Sequence, residues 1–391
     1  MGMKIREVIT QPRRNNFTII VSHEDLDGVS SAFLAKKYAE ATSNSNIIVA
    51  TSMAPISDVT YSLVKMVIDL PDFYEFNLAH NIDRIIVCDR SLSLEDYKKI
   101  KNLCNFKQFE IFDHHIAQQE EYANIKAFDK RVEVHFDSTI CATLIIANEI
   151  ANKTRDSSYI ETATVVDCWD TFKWKNILTN ASEHSREEID RAELAVKLNK
   201  VACTIGPRLL YDTIVDMDSL DIRQMEGFEL LHRLYDDKLD EAYESLNPYN
   251  TMMENRSVVI RGKRRDFTLF VVKRNPLITG DKYSLIADRL LDDNPYIDIV
   301  MFVSDGMASF RGRSGRSITP LEFAKLISPK AGGHAYACGL VLLDSWTISN
   351  LMVDMFLGRR TLVESTVATI SKSYKENIDE FYNKIIDIVN E

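Results

Sequence analysis

Asp113-His114-His115 brings a carboxylate and two imidazoles together at three successive positions, the residue types that bind divalent cations and move protons. Two further acidic groups precede the triplet, Ser22-His23-Glu24-Asp25-Leu26-Asp27-Gly28 and Asp89, and a fourth group follows in Val165-Val166-Asp167-Cys168-Trp169-Asp170. Three histidines and at least four aspartates therefore fall at the ends of apolar segments in the first half of the chain. Single acids at such places are usually helix caps or solvated turns. Four groups in this arrangement argue instead for a common centre. Mixed imidazole and carboxylate donors suit Mn²⁺ or a similar divalent ion, with Mg²⁺ or Co²⁺ as alternatives. So many donors imply two ions, bridged by a shared carboxylate.

The elements that must position these residues are legible as apolar runs. Phe17-Thr18-Ile19-Ile20-Val21, Arg84-Ile85-Ile86-Val87-Cys88 and Gln108-Phe109-Glu110-Ile111-Phe112 read as strands, each ending on a candidate group. After the first acidic loop, Val29 to Ala41 reads as a helix. In an open α/β sheet, the order strand, glycine-bearing loop, helix sets the loop at the carboxyl end of a strand, where ligands bind. His23, Asp25 and Asp27 alternate and can turn toward one centre. Ser91 and Ser93 are the better caps for a helix from Leu94 to Leu103, which leaves Asp89 free to act as a ligand.

These groups resemble the successive motifs of the DHH phosphoesterases, which include RecJ-type exonucleases, nanoRNases, cyclic-dinucleotide phosphodiesterases and family II pyrophosphatases. The resemblance rests on His23-Glu24-Asp25-Leu26-Asp27-Gly28, Asp89, Asp113-His114-His115 and Asp167. Farther on, Gly332-Gly333-His334-Ala335-Tyr336-Ala337-Cys338-Gly339 is similar to the glycine-glycine-histidine signature of the DHH-associated C-terminal domain. Ser309-Phe310-Arg311-Gly312-Arg313-Ser314 resembles the strand that precedes that signature. The resemblance implies that His23, Asp25 and Asp89 hold one ion, and that Asp27, Asp89, His114 and Asp167 hold the other. It also implies that His115 faces the phosphate. The fourth motif is loose, with Asp170 three residues beyond Asp167; Asp167 is favoured because Ala163-Thr164-Val165-Val166 matches the family's apolar approach. Asp113 is expected to orient His114 or His115. Arg311 and Arg313 alternate on a strand and are expected to grip phosphate together. Gly332 and Gly333 allow backbone amides to approach an anion, and His334 is expected to close over the substrate across a hinged cleft.

Composition bounds the rest. At 391 residues and 45% hydrophobic, the chain suits two domains, each with its own core. The expected class is α/β: a mostly parallel N-terminal sheet flanked by helices (1–185), a helical connector (186–255) and a smaller C-terminal α/β domain (256–391). Gly206-Pro207 interrupts the connector and Asn247-Pro248 ends it. Strands are expected at Val258 to Ile260, Phe267 to Val272, Ile297 to Val303 and Met307 to Arg313, and a helix at Lys282 to Leu291. The stretch from Thr366 to Asn390 carries an amphipathic stripe that suits packing on its own domain or on a partner, so a homodimer is compatible.

A net charge of −11 disfavours a protein that tracks long nucleic acid, which needs a broad basic face. The basic run Arg261-Gly262-Lys263-Arg264-Arg265 reads as a solvated hairpin tip. No apolar segment reaches membrane-spanning length, and the start lacks a signal-peptide core, so a cytoplasmic protein with no membrane contact is expected. The six cysteines have no Cys-x-x-Cys spacing and read as thiols in a reducing compartment, with Cys88 and Cys168 beside candidate ligands. The expected activity is Mn²⁺-dependent hydrolysis of a short oligonucleotide, a linear or cyclic dinucleotide, or a nucleotide bisphosphate. The alternatives are a single-strand nuclease, a pyrophosphatase and a non-catalytic nucleotide-binding module.

Overall fold

The structure is a computed structural model, and it describes residues 16–51, 82–103, 105–247, 251–260, 263–272, 277–278, 282–304, 307–313, 315–327 and 331–341. The amphipathic stripe of 366–390 lies outside the described residues. The chain divides into two compact units between Asp236 and Asp237. Residues 186–255, expected as a connector, are therefore shared between both units.

The first unit is built on five parallel strands in the order β2-β1-β3-β4-β5: β1 (Phe17–Ser22), β2 (Asn46–Thr51), β3 (Ile82–Cys88), β4 (Phe106–Asp113) and β5 (Val132–Phe136). The central strands read as near-continuous apolar runs because helices cover both faces of the sheet. On one face, Ile19, Val21, Ile85, Val87, Phe109 and Ile111 pack with Tyr97 and Ile100 of α2 (Leu94–Leu103) and Tyr122 and Ile125 of α3 (Gln119–Phe128). The other face meets α1 (Leu26–Thr42), whose Tyr38 stands edge-on to Phe112 at 5.7 Å. Next to α1 lies α4 (Ala142–Thr154), tied to it by a hydrogen bond of 3.1 Å between Ser31 and Thr143.

Three further helices complete this side: α5 (Ile160–Asp170), α6 (Lys173–Thr179) and α7 (Arg186–Met217). A capping box of Ser185 and Glu188 starts α7, and Gly206 interrupts it with φ 80° just before Pro207. Because α7 packs on α1 and α5, the front of the expected connector is part of the first unit. Helix α8 (Phe228–Glu244) crosses the division.

The strand order reverses between β1 and β3, one leading on to β2 and the other to β4. At such a switch point the loops leaving the carboxyl ends splay apart and open a crevice for ligand. The loop after β1 is narrow. Asp25 caps α1 by accepting from the Gly28 amide at 2.9 Å, and the chain doubles back on itself there. A Cβ on Gly28 would stand 2.4 Å from the His23 carbonyl oxygen. Gly28→Ala is therefore expected to destabilise the first unit by about 1–3 kcal/mol, read as a lowered midpoint in chemical denaturation.

The second unit carries a mixed sheet in the order β10-β11-β9-β8-β7-β6. Its strands are β6 (Thr251–Ile260), β7 (Lys263–Val272), β8 (Ile299–Ser304), β9 (Met307–Gly312), β10 (Gly332–His334) and β11 (Ala337–Val341). All neighbours are antiparallel except β7 and β8. Helix α9 (Tyr283–Asp293) covers one face through Ile286, Leu290, Val300 and Phe302, and α10 (Pro320–Ile327) covers the other through Phe323, Phe267 and Phe310. Lys263 and Arg264 are exposed where β6 turns into β7, as a hairpin tip requires. The α/β class and the parallel N-terminal sheet are those expected from the apolar runs.

Candidate metal centre

The three loops leaving β1, β3 and β4 bring His23, Asp25, Asp27, Asp89, Asp113, His114 and His115 to one edge of the sheet. Asp89 is central. Its Oδ1 lies 3.3 Å from His114 Nε2 and its Oδ2 lies 4.0 Å from His23 Nδ1, so the two oxygens of one carboxylate face two different imidazoles. His23 Nδ1 is also 2.9 Å from Asp25 Oδ2. His114 Nε2 is in turn 3.4 Å from Asp170 Oδ2 and 3.8 Å from Asp27 Oδ2. Two donor groups result, His23 with Asp25 and Asp89, and Asp27 with His114 and Asp170, and Asp89 stands between them.

The carboxylates are held by backbone as well as by side chains. Asp27 accepts from the Ala142 and Thr143 amides at 3.0 and 2.9 Å, which sets its charge at the N-terminus of α4. Asp89 has a positive φ of 49°, a strained conformation that its place between the two groups explains better than any role in the turn. Beneath the loops, Asp113 is fully buried, takes the Tyr122 hydroxyl on Oδ2 and lies 2.7 Å from His115 Nδ1 through Oδ1. Asp113 thus orients His115, one of the two imidazoles considered for that contact.

One expected ligand is not in the group. Asp167 Oδ1 accepts from the Cys141 amide at 2.8 Å, and Oδ2 accepts from Lys173 Nζ at 2.5 Å. It caps α4 and anchors a lysine, while Asp170, one turn later on α5, turns toward His114. The apolar approach to Asp167 is helix, not strand, so the two acids differ by one turn along a single face. Asp170 Oδ2 is buried and has no hydrogen-bond partner among the described residues, as befits an oxygen reserved for a ligand.

Electrostatics follow from this crowding. Burial raises the Asp89 carboxyl well above the usual range, with Asp25 and Asp27 adding to the effect. Burial likewise raises Asp170, reinforced by Asp27 and Asp25. Burial also works against ionised Asp25, but His23 outweighs it and the carboxyl ends below its ordinary value. His23 is raised, chiefly by Asp25, while burial lowers His114 and leaves it a neutral donor. Carboxyls pushed up by one another in a desolvated pocket are relieved by divalent cations, and the donor set fits such ions. Burial opposes the charged form of His115, yet Asp113 prevails and lifts it to about 9. A histidine raised above its ordinary 6.5 contributes stability that is complete below that value and lost as pH rises through about 9. In metal-free protein, denaturation midpoints between pH 6 and 10 are expected to fall across that window, and Asp113→Asn is expected to flatten the fall.

Sequence reasoning missed three contributors: Tyr122, which fixes Asp113; Lys173, which holds Asp167; and Arg90, which is 1% exposed and whose charge acts on His23. Only Arg90 had a signal, as a cation directly after a ligand candidate.

In the second unit, Arg311 and Arg313 both reach toward α9. Arg311 Nε donates to Ser284 Oγ at 3.1 Å, and Arg313 Nη2 lies 3.7 Å from Asp292 Oδ1. Gly332, Gly333 and His334 form strand β10, paired with Gly339, Cys338 and Ala337. Gly333 has φ 120°, and a Cβ there would stand 2.7 Å from the Ala337 carbonyl, so close strand packing already demands glycine. The His334 side chain lies outside the described residues.

No family model matches the chain, and no curated protein matches it. Solved structures do. A DHH-domain protein described as a member of the s1p family of ribosomal proteins superposes with a TM-score of 0.56 at 15% identity, over 84% of this chain and 83% of that one. Exonuclease RecJ bound to manganese gives a TM-score of 0.46 at 13% identity, over 92% and 90%. RecJ in complex with Mn²⁺ from Thermus thermophilus gives 0.49 at 12%, over 93% and 52%. The first of these neighbours is a DHH-domain protein, and the fold of this chain is similar to that DHH-domain fold.

Proposed function

We propose that this chain is a metal-dependent phosphoesterase of the DHH type. The observation that carries the reading is Asp89, whose two oxygens face two separate groups of ligand-type side chains, the arrangement a bridging carboxylate needs. His23, Asp25 and Asp89 would hold one ion, and Asp27, Asp89, His114 and Asp170 the other, with Asp170 in the place the motif alone would give to Asp167. Mn²⁺ is the ion best matched to these donors. When bound, such ions would lower the pKa of a water so that hydroxide is available at neutral pH, and would neutralise phosphate oxygens.

The chain's own groups do the rest. His115, held through Nδ1 by Asp113, whose charge favours the imidazolium, would donate through Nε2 to a phosphate oxygen or to the departing alkoxide. Tyr122 keeps Asp113 in place. Catalysis would belong to the first unit, and in the second unit Arg311, Arg313, Gly332, Gly333 and His334 would be the groups suited to a phosphate or base. The acidic net charge favours a short substrate over a long nucleic acid, which needs a broad basic face.

The test is Mn²⁺-supported turnover of a labelled two-nucleotide RNA, a cyclic dinucleotide and pyrophosphate, with bound metal measured alongside. Cleavage of either nucleotide substrate by protein holding about two ions per chain is expected. Binding of fewer than two ions with no turnover on any of the three would replace the enzyme with a non-catalytic nucleotide-binding module.

A further inference from the structure

A second cluster of metal-ligating side chains lies on the α1-covered face of the first sheet. Glu110 on β4 pairs in register with Glu133 on β5, and Phe112 pairs with His135. Strand alternation puts Glu110, Glu133 and His135 on one face, and Ile111 and Asp113 on the other. The cluster is therefore separate from the centre at the strand ends. His135 Nε2 lies 4.0 Å from Glu110 Oε2 and 3.9 Å from Glu133 Oε2. On the far side of the ring, Nδ1 lies 3.9 Å from Glu149 Oε2 on α4. The imidazole is stacked flat on Phe112, with centroids 4.3 Å apart, which fixes the direction of both nitrogens.

Two atoms are left over. Glu110 is fully buried and its Oε1 is taken by Arg84, but Oε2 has no hydrogen-bond partner among the described residues; His135 Nε2 is buried and equally without one. Burial lowers the His135 pKa, so the ring is neutral. If Nδ1 carries its proton toward Glu149, then Nε2 turns a lone pair on two carboxylate oxygens. Two of these three atoms, Glu110 Oε2 and His135 Nε2, are buried, and buried polar atoms in native proteins have partners.

We propose that Glu110, Glu133 and His135 form a second cation site, for a divalent ion of the zinc class. One imidazole nitrogen and two carboxylate oxygens are a normal donor set for such an ion. Ligands about 2.0–2.2 Å from the metal stand about 3.3–3.6 Å apart in tetrahedral geometry, and the three donor atoms, all within 4.8 Å of one another, must draw together to reach it. Glu133, whose side chain is 53% exposed, is free to make that movement. Glu149, with Oε2 3.9 Å from Nδ1, would need to close to hydrogen-bonding distance to fix the imidazole tautomer. The ion ties edge strand β5 to β4 and steadies the strand that ends in Asp113.

The test uses the full chain, stripped of metal, equilibrated with Zn²⁺ and separated from free ion, with zinc measured by mass spectrometry. Glu133→Gln and His135→Gln are each expected to hold about one ion fewer per chain than wild type, and to lose part of the Zn²⁺-induced rise in melting temperature. Glu133→Gln alters a half-exposed group and avoids the core. An unchanged zinc content in Glu133→Gln overturns the site.

Discussion

Asp89→Asn is expected to abolish phosphodiester cleavage while making the metal-free protein more stable. Asparagine tolerates the positive φ of 49° at this position, so the backbone is kept and only the charge is lost. With the charge goes the one carboxylate whose oxygens face both donor groups. Removing a single transition-state donor already costs about 10²–10³ in turnover, and loss of a shared ligand should exceed that, leaving activity down by on the order of 10³ or more. Bound Mn²⁺ should fall with it. Stability moves the other way, because a buried carboxyl crowded by Asp25, Asp27 and Asp170 is a source of repulsion in the absence of cations. A gain of about 1–2 kcal/mol in the metal-free state, read by denaturation, would mark Asp89 as a residue kept for function at the expense of folding. Near-normal turnover in this variant would end the bridging assignment.

The second large effect separates two acids one turn apart. Asp170→Asn is expected to lower Mn²⁺ affinity and turnover by more than about 100-fold, since even outer contacts of a metal site are worth 10–100-fold. Asp167→Asn is expected to keep both nearer to wild type and to reduce stability instead, by about 1–3 kcal/mol, because it breaks the contact with Lys173 and weakens the cap on the Cys141 amide. Measuring metal content and denaturation on both proteins gives a crossed pattern. If Asp167→Asn loses the metal and Asp170→Asn does not, the ligand assignment reverses.

This pair of residues also shows what the sequence could and could not reveal. The three strand-end groups were legible because a parallel strand buried on both faces is a short apolar run, and the first polar residue after it must lie at the sheet edge. The strand at 82–88 ends at Cys88 with its run, while the strands ending at Ser22 and Asp113 extend one residue past theirs. The fourth group belongs to a helix, where Asp167 and Asp170 share a face and periodicity cannot rank them. Their roles are set by partners distant in sequence: the Cys141 amide draws Asp167 away, and His114 faces Asp170. Tyr122 was invisible for the same reason, since its hydroxyl meets Asp113 only after α3 docks on the sheet. Of the two glycines, Gly333 alone demands glycine, and the physical cause is its tight strand pairing; a Cβ on Gly332 would meet open space.

The pitch of the parallel sheet has a consequence for how the protein is made. Neighbouring strands are about 4.8 Å apart, so β1, β3 and β4 act as a ruler that delivers His23, Asp89 and His114 within reach of one another. None of these residues is close to the others along the chain, and the last oxygen needed comes from Asp170. A fragment ending before that residue therefore lacks one oxygen of the group formed by Asp27, His114 and Asp170.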